Sequence, residues 1–250
     1  MTNEATIEKM QQMRLNGMLN AFNTTMGTTF QNNFTPDELI AHLIDAEWEH
    51  RYNRKLARLL KTANFRYKAS IEQITFTRQR NLDKNTILRL SSCDYIKKAE
   101  NILITGPTGV GKSFIACALG NQAAIQGFKV VYSNCIKLFS NLKYAKAEGT
   151  YIKELKKLQK QHLIILDDFG LHPLDEQSKL ILLEILEDRY ADKSMIITSQ
   201  FPVAKWYDII KNSTVADAIC DRLIHNAHQI QLKGDSMRKK IKNIPVENCH

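Results

Sequence analysis

Short apolar runs alternate with amphipathic stretches through most of the chain after residue 95. The apolar runs have the length of buried strands and occupy residues 101–105, 128–133, 163–166, 194–198 and 228–232. Apolar side chains recur at helical spacing between and beside these runs, in residues 112–126, 136–161, 175–190, 203–211 and 215–225. Strands that alternate with helices predict an α/β domain in which a parallel sheet is covered on both faces.

The beginning of the chain has a helical pattern without strand-like runs. Apolar positions such as Met13, Leu15 and Leu19 lie near helical spacing, and Pro36 begins a second predicted helix with Thr35 as its N-cap. This pattern predicts that the first part of the chain is all helical.

The stretch that follows has mixed polarity and predicts one short strand, 74–77, and one short helix, 86–90. We therefore expect three parts: a helical N-terminal domain (1–68), a connecting collar (69–94) and an α/β domain (95–250).

Residues 106–113 read GPTGVGKS, directly after a predicted strand and directly before a predicted helix. In such a loop the glycines let backbone N–H groups point at phosphates, Lys112 reaches the β and γ phosphates of ATP, and the Ser113 hydroxyl ligates Mg²⁺. The expected nucleotide-binding residues are Gly106, Pro107, Thr108, Gly109, Val110, Gly111, Lys112 and Ser113.

A phosphate loop requires an acidic residue at the end of a nearby strand, and LIILDD supplies two. We expect Asp167 to serve Mg²⁺ together with Ser113, and Asp168 to polarise the attacking water. The alternative for Asp168 is an acid that caps a helix or lies in a loop.

A strand-plus-helix unit separates the two motifs, and this spacing predicts that the strand 194–198 is inserted between them in the sheet. Gln200 would then lie between the phosphate loop and the acidic pair. There it would contact the γ-phosphate or the attacking water; a plain polar strand end is the alternative.

Two arginines are further candidates. Arg222, in DAICDRL, is expected to act on the nucleotide of a neighbouring subunit, unless it forms a surface salt bridge with Asp217 or Asp221. Arg238, in GDSMRKK, is a candidate nucleotide-binding sensor in the same subunit, although a basic tail would look the same.

The chain is basic overall, with a formal net charge of +9, and part of this charge is concentrated in one run. Helical spacing places several of its members on one stripe, which is typical of a surface that binds the DNA phosphate backbone. The alternative is a solvated helix face. The members on the stripe are Arg51, Arg54 or Lys55, and Arg58, and the seven basic residues of the whole run are Arg51, Arg54, Lys55, Arg58, Lys61, Arg66 and Lys68.

Composition excludes several classes of protein. No apolar run approaches the roughly 18 residues that a membrane span needs, and the polar N-terminus lacks the pattern of a signal peptide, so we expect a cytoplasmic protein with no membrane partner. The five cysteines are scattered without a CxxC pair, which argues against a disulfide framework or a zinc site.

The motifs GPTGVGKS, LIILDDFG, MIITSQFP and DAICDRL follow one another behind a basic helical segment. In this order they resemble the IstB-like ATP-binding proteins of insertion sequences, members of the AAA+ superfamily related to the helicase loader DnaC and the initiator DnaA. The resemblance covers nearly the whole chain. It implies an AAA+ three-layer αβα fold of the additional-strand class.

The resemblance also implies a function. Such a protein binds duplex DNA with ATP and Mg²⁺, largely independently of sequence, assembles into a homo-oligomer that remodels the target, and recruits and stimulates a transposase encoded alongside. Two alternatives remain: a loader of a replicative helicase, and a small-molecule kinase, against which the basic stripe and the lack of an acceptor-binding lid argue.

Overall fold

The computed structural model describes residues 3–27, 34–211 and 213–237. By its internal contacts the chain divides into two compact units, Met1–Arg58 and Leu59–His250. The first unit is thus shorter than the expected helical domain of residues 1–68. The reason is hydrophobic: Leu59 and Ala63, at the end of the last N-terminal helix, belong to the core of the second unit.

The first unit contains α1 (Asn3–Gln12), α2 (Asn16–Gly27) and most of α3 (Pro36–Ala63). The predicted start of α3 at Pro36 is confirmed. Thr35 Oγ1 accepts the N–H of Glu38 at 3.3 Å, and the Glu38 carboxylate accepts the Thr35 N–H at 2.7 Å, which is a capping box. Within the described ranges, no helix is both long and apolar enough to cross a membrane.

A buried glutamate joins α2 to α3. Glu47 Oε2 accepts the N–H groups of Gly17 at 2.8 Å and Met18 at 3.1 Å, at the start of α2, and Arg51 Nε donates to Glu47 Oε1 at 2.6 Å. Burial favours the protonated acid, but these hydrogen bonds outweigh it and lower the pKa of Glu47. A charged carboxylate therefore caps α2, where the helix dipole favours negative charge.

The collar differs in part from its prediction. The expected strand 74–77 is wrong: a 3₁₀ turn, Ile71–Gln73, precedes this stretch, and a second one, Arg78–Arg80, follows it. The expected helix 86–90 is confirmed as α4 (Lys84–Ser91), with Asp83 as its N-cap. Buried apolar residues of the collar pack into the core of the second unit, and this burial outweighs the local preference for a strand.

The α/β part contains every strand and helical segment predicted for it. The expected helix 136–161 is divided in two near Gly149, whose positive φ of 72° ends the first helix. The elements are α5 (Asp94–Lys97), β1 (Asn101–Thr105), α6 (Lys112–Ile125), β2 (Val130–Asn134), α7 (Cys135–Ala147), α8 (Tyr151–Gln159), β3 (Leu163–Phe169), α9 (Glu176–Glu187), β4 (Ser194–Ser199), α10 (Trp206–Ile210), α11 (Ser213–Ile224) and β5 (Ala227–Gln231).

These five strands form one sheet in the order β2-β3-β4-β1-β5, and all neighbouring strands are parallel. The predicted insertion of β4 between the acidic strand β3 and the phosphate-loop strand β1 is confirmed. Because parallel strands end at the same edge, the loop after β1 and the ends of β3 and β4 meet at that edge.

Alternate residues of the central strands pack on opposite faces of the sheet. Ile104 and Ile165 belong to a core cluster that contains the buried side of α6 and the collar. Leu103 and Ile164 belong to a second cluster, which contains buried residues of α7, α9 and α11. The domain therefore has three layers, and both faces of the sheet are covered.

Gly17 lies where α2 packs closely on α3, so a substitution there tests this packing. A Cβ at this position would lie 2.6 Å from His50 Cβ and 2.8 Å from Glu47 Cα, and closer still to the Ala46 carbonyl oxygen. We expect Gly17→Ala to lower the free energy of unfolding by about 1–3 kcal/mol, because the close approach includes backbone atoms. Urea unfolding followed by circular dichroism measures this change.

Gly27 in the same helix is the matched control, since a Cβ there meets nothing within 4 Å. Gly27→Ala should be neutral or stabilising by up to about 1 kcal/mol. Equal stability of the two variants would show that α2 does not pack on α3 through Gly17.

Candidate nucleotide-binding site

The loop between β1 and α6 has the backbone of a phosphate-binding loop. Gly106, Gly109 and Gly111 have positive φ angles of 146°, 86° and 97°, which side chains other than glycine rarely allow. Lys112 begins α6, and its Nζ donates to the carbonyl oxygens of Gly106 and Pro107, both at 2.8 Å. The lysine therefore lies over the loop that is expected to hold the phosphates.

Residues outside the motif hold this loop in place. The buried Arg80, from the collar, donates to the Val110 carbonyl at 2.7 Å and to the Thr75 carbonyl at 2.5 Å. From the C-terminal side, the Met237 N–H donates to the Gly109 carbonyl at 2.9 Å. The sequence motif indicated neither contact, because both partners lie far from the loop along the chain.

Asp167 is fully buried, and side chains from several elements surround its carboxylate. Oδ1 accepts the Ser113 hydroxyl at 2.7 Å and also the Thr198 hydroxyl. Oδ2 accepts the Tyr132 hydroxyl at 2.5 Å and Arg66 Nη1 at 3.2 Å. Burial, reinforced by the bond to Asp167, raises the pKa of Tyr132 well above its ordinary value, so the phenol stays protonated and donates.

Asp168 lies at an irregular point of β3. The register between β3 and β4 shifts between Leu166 and Phe169, and Asp168 has a positive φ of 62°. In a regular strand, successive side chains point to opposite faces, but this bulge brings both carboxylates to one guanidinium. Asn134 Nδ2, at the end of β2, donates to Asp168 Oδ2 at 3.1 Å.

Arg66 is not where the basic run led us to expect it. Instead of lying with the other basic residues of the run, it pairs with two acids: its Nη1 lies 3.2 Å from Asp167 Oδ2 and 3.4 Å from Asp168 Oδ2. Sequence spacing alone grouped it with its basic neighbours. The tertiary fold brings the segment after α3 to the carboxyl edge of the sheet, over a sequence separation of about one hundred residues.

The other six residues of the basic run have exposed side chains. Arg51 forms an ion pair with Glu47 at 2.6 Å. Arg54, Lys55 and Arg58 lie with it on the part of α3 that belongs to the first unit, whereas Lys61 and Lys68 belong to the second unit.

Gln200 follows β4 and lies beside the phosphate loop, where Thr108 Oγ1 donates to its Oε1 at 2.8 Å. Arg222 lies on α11, pairs with Glu187 and faces the Tyr190 ring at 5.9 Å, so neither Asp217 nor Asp221 is its ion-pair partner. Arg238 lies outside the described residues.

Sequence reasoning missed Tyr132 and Asn134 as parts of the site, and did not assign a role to Thr198. Asn134 ends β2, Thr198 is the last residue but one of β4, and Tyr132 lies two residues before the end of β2. Parallel α/β sheets place their ligand sites at these carboxyl ends of the strands. Applied to the predicted end of β2, this rule about strand ends could have pointed to these residues from the sequence. It could not have identified Arg66 or Arg80, which come from segments outside the sheet.

Comparisons with known proteins identify one matching family and several relatives. The family described as IstB-like ATP binding protein matches residues 8–244. A putative insertion sequence ATP-binding protein, y4pL, of Sinorhizobium fredii is 44% identical over 234 residues, which cover 94% of this chain and 96% of that protein. The insertion sequence IS21 putative ATP-binding protein of Pseudomonas aeruginosa is 31% identical over 205 residues, covering 82% and 77%.

Among solved structures, the DnaC helicase loader is similar with a TM-score of 0.60 and 20% identity, covering 67% of this chain and 98% of that one. AMPPCP-bound DnaA from Aquifex aeolicus is similar with a TM-score of 0.59 and 21% identity, covering 71% and 54%. At these identities the likeness shows the fold alone, an α/β P-loop fold like that of DnaC and DnaA. From the match over residues 8–244 and the 44% identity, the chain belongs to the family of IstB-like ATP binding proteins.

Proposed function

We propose that this protein is an ATPase that assembles on duplex DNA in an ATP-dependent manner and recruits and stimulates a transposase encoded alongside it. The observation that carries the proposal is the hydrogen bond of 2.7 Å from Ser113 Oγ to Asp167 Oδ1. It joins the phosphate loop to the acidic strand end, the two parts that a hydrolysing P-loop site requires. The names of the insertion sequence relatives support the transposition context.

Magnesium suits the oxygen donors that meet here. The Ser113 hydroxyl and the Asp167 carboxylate are hard ligands, which Mg²⁺ prefers. Residues 3–27, 34–211 and 213–237 contain no group of three or more His, Cys, Asp or Glu side chains placed to hold a metal. This fits a cation held by one hydroxyl, one carboxylate and the nucleotide itself. When bound, Mg²⁺ would neutralise charge on the β and γ phosphates.

The chain's own groups supply the remaining chemistry in this proposal. Lys112 exchanges its two carbonyl partners for phosphate oxygens. Asp168 orients the attacking water and receives its proton, while Asn134 holds the carboxylate through the 3.1 Å bond to Oδ2. Gln200, already bonded to Thr108 in the loop, contacts the γ-phosphate or that water.

Arg222 is proposed to act on the nucleotide of a neighbouring copy. Its backbone carbonyl accepts Asn101 Nδ2 at the amino end of β1, whereas the phosphate loop follows the carboxyl end of the same strand. At roughly 3.3 Å per residue, the length of β1 separates the Arg222 backbone from the phosphate loop of the same copy. This distance supports a role for Arg222 on the nucleotide of a neighbouring copy.

An apolar face on α3 also supports assembly into a homo-oligomer. Ile40, Ile44 and Trp48 are spaced four residues apart, and 54–65% of each residue is exposed. Apolar side chains at this spacing lie on one side of a helix, as in helix-to-helix interfaces.

DNA is proposed to bind the exposed basic residues of α3, Arg54, Lys55 and Arg58 among them. Such contacts neutralise phosphates and carry no base information, which supports binding that is largely independent of sequence. The likeness to the DnaC helicase loader shows only the fold, so it does not favour the helicase-loader alternative.

Two substitutions separate nucleotide binding from hydrolysis. Lys112→Ala should weaken binding of a fluorescent ATP analogue roughly 10- to 100-fold, because the variant has no ammonium group to donate charge-assisted hydrogen bonds to the phosphates. Asp168→Asn should bind the analogue normally but hydrolyse ATP roughly 10²- to 10⁴-fold more slowly. Its complexes on DNA should therefore persist.

Equilibrium fluorescence titration and phosphate release measure the two effects, and Lys98→Ala, an exposed lysine away from the loop, is the control. Full turnover by Asp168→Asn would remove this residue from the mechanism.

The DNA surface is tested by changing Arg54, Lys55 and Arg58 together to glutamine. We expect weaker binding to every duplex sequence and a shallower salt dependence, with the log–log slope reduced by about 0.9 for each phosphate that the variant no longer neutralises. Fluorescence anisotropy at several salt concentrations measures both quantities. Changing Lys84, Lys97 and Lys98 to glutamine removes the same charge elsewhere; an equal decrease in affinity in both triple variants would argue against a DNA site on α3.

Partner choice is tested with the purified proteins. ATP-dependent capture of the adjacently encoded transposase on DNA, with increased strand transfer, is the expected result. Stable capture of a replicative helicase without any effect on the transposase would instead support the loader function.

A further inference from the structure

Arg66 brings a positive charge into the nucleotide site from a segment that no phosphate-loop motif includes. It lies shortly after the end of α3, beyond Asn64, whose positive φ of 52° turns the chain. One nitrogen, Nη1, contacts both acids, at 3.2 Å from Asp167 Oδ2 and 3.4 Å from Asp168 Oδ2. The guanidinium also lies 5.4 Å from the centre of the Tyr67 ring.

The charge balance of the acidic pair depends on this arginine. Apart from Arg66, the side chains that donate to Asp167 are the neutral hydroxyls of Ser113, Tyr132 and Thr198. Within the described part of the chain, Arg66 is the cation that forms ion pairs with these two acids. Two neighbouring carboxylates, one of them fully buried, are costly without a compensating charge.

The ion pair between Arg66 and the two acids is also placed so that a metal ion could replace the arginine. The Arg66 side chain is 41% exposed, whereas that of Asp167 is fully buried, so the arginine can leave toward solvent without disturbing the core. An ion pair with one partly exposed partner is worth little compared with the binding of a divalent cation.

From this geometry we propose that Arg66 is a positioning residue: an internal counter-ion that competes with Mg²⁺ for Asp167 and Asp168. It thereby sets the magnesium concentration at which the site binds the metal–nucleotide complex. The proposal rests on the proposed ATPase site and adds to it a residue that controls metal loading. In the absence of metal, Arg66 neutralises the acids; on loading, it releases Asp168 for the attacking water.

Binding of a fluorescent, non-hydrolysable ATP analogue at increasing Mg²⁺ tests this role in the full-length protein without DNA. For Arg66→Gln, the Mg²⁺ concentration at half-maximal binding should fall roughly three- to tenfold, the size expected on removing a partly exposed ion pair. Affinity for the analogue in EDTA should fall roughly two- to tenfold, because without Arg66 or Mg²⁺ the two acids repel the phosphates.

Two further variants complete the design. Arg66→Lys keeps the charge and should keep a midpoint close to that of the wild type. Arg78→Gln removes an exposed arginine from the collar and should leave the midpoint unchanged. Thermal unfolding of each variant without ligand establishes that it folds.

Three results would overturn the proposal: an unchanged Mg²⁺ midpoint in Arg66→Gln, an equal shift in Arg78→Gln, or a higher Mg²⁺ midpoint in Arg66→Gln, which would make Arg66 a phosphate ligand. Failure of the wild-type protein to bind the analogue would overturn the proposed ATPase instead. The two failures can be told apart, because a wrong role for Arg66 changes only the variants' Mg²⁺ midpoints, whereas a wrong ATPase proposal shows in the wild-type protein.

Discussion

A carboxylate with no exposure to solvent organises this site. Burial of the Asp167 charge is costly unless hydrogen bonds and an opposite charge compensate for it. The compensation comes from four places in the chain: Ser113 at the start of α6, Tyr132 on β2, Thr198 on β4, and Arg66 after α3. The need to satisfy one buried acid therefore fixes how helix, strands and connecting segment meet at the carboxyl edge of the sheet.

The strand order of the sheet and the bulge in β3 bring these groups together at the carboxyl edge. With β4 between β3 and β1, Thr198 and Gln200 lie between the acids and the phosphate loop, where one contacts Asp167 and the other Thr108. The bulge at Asp168 brings a second carboxylate to the same side as the first. A non-glycine residue with positive φ at such a place is the local strain that functional sites often contain.

Segments outside the phosphate loop also hold it in place. Arg80 from the collar and Met237 from the segment after β5 each bond a carbonyl of the loop, at Val110 and Gly109. Loop shape is thus linked to segments on both sides of the α/β core along the chain.

The amino-acid sequence by itself determined the elements and their order, because apolar periodicity and the GPTGVGKS and LIILDD motifs are local properties. It predicted the inserted strand β4, the start of α3 and the α/β class, all confirmed. It failed at residues 74–77, where burial in the core outweighed strand propensity.

Only the tertiary structure decided which distant side chains share the site. Arg66 looked like one more member of a basic run, yet it pairs with acids about one hundred residues away. Contacts of this kind depend on how a buried charge is compensated in three dimensions, and no local spacing along the chain encodes that choice.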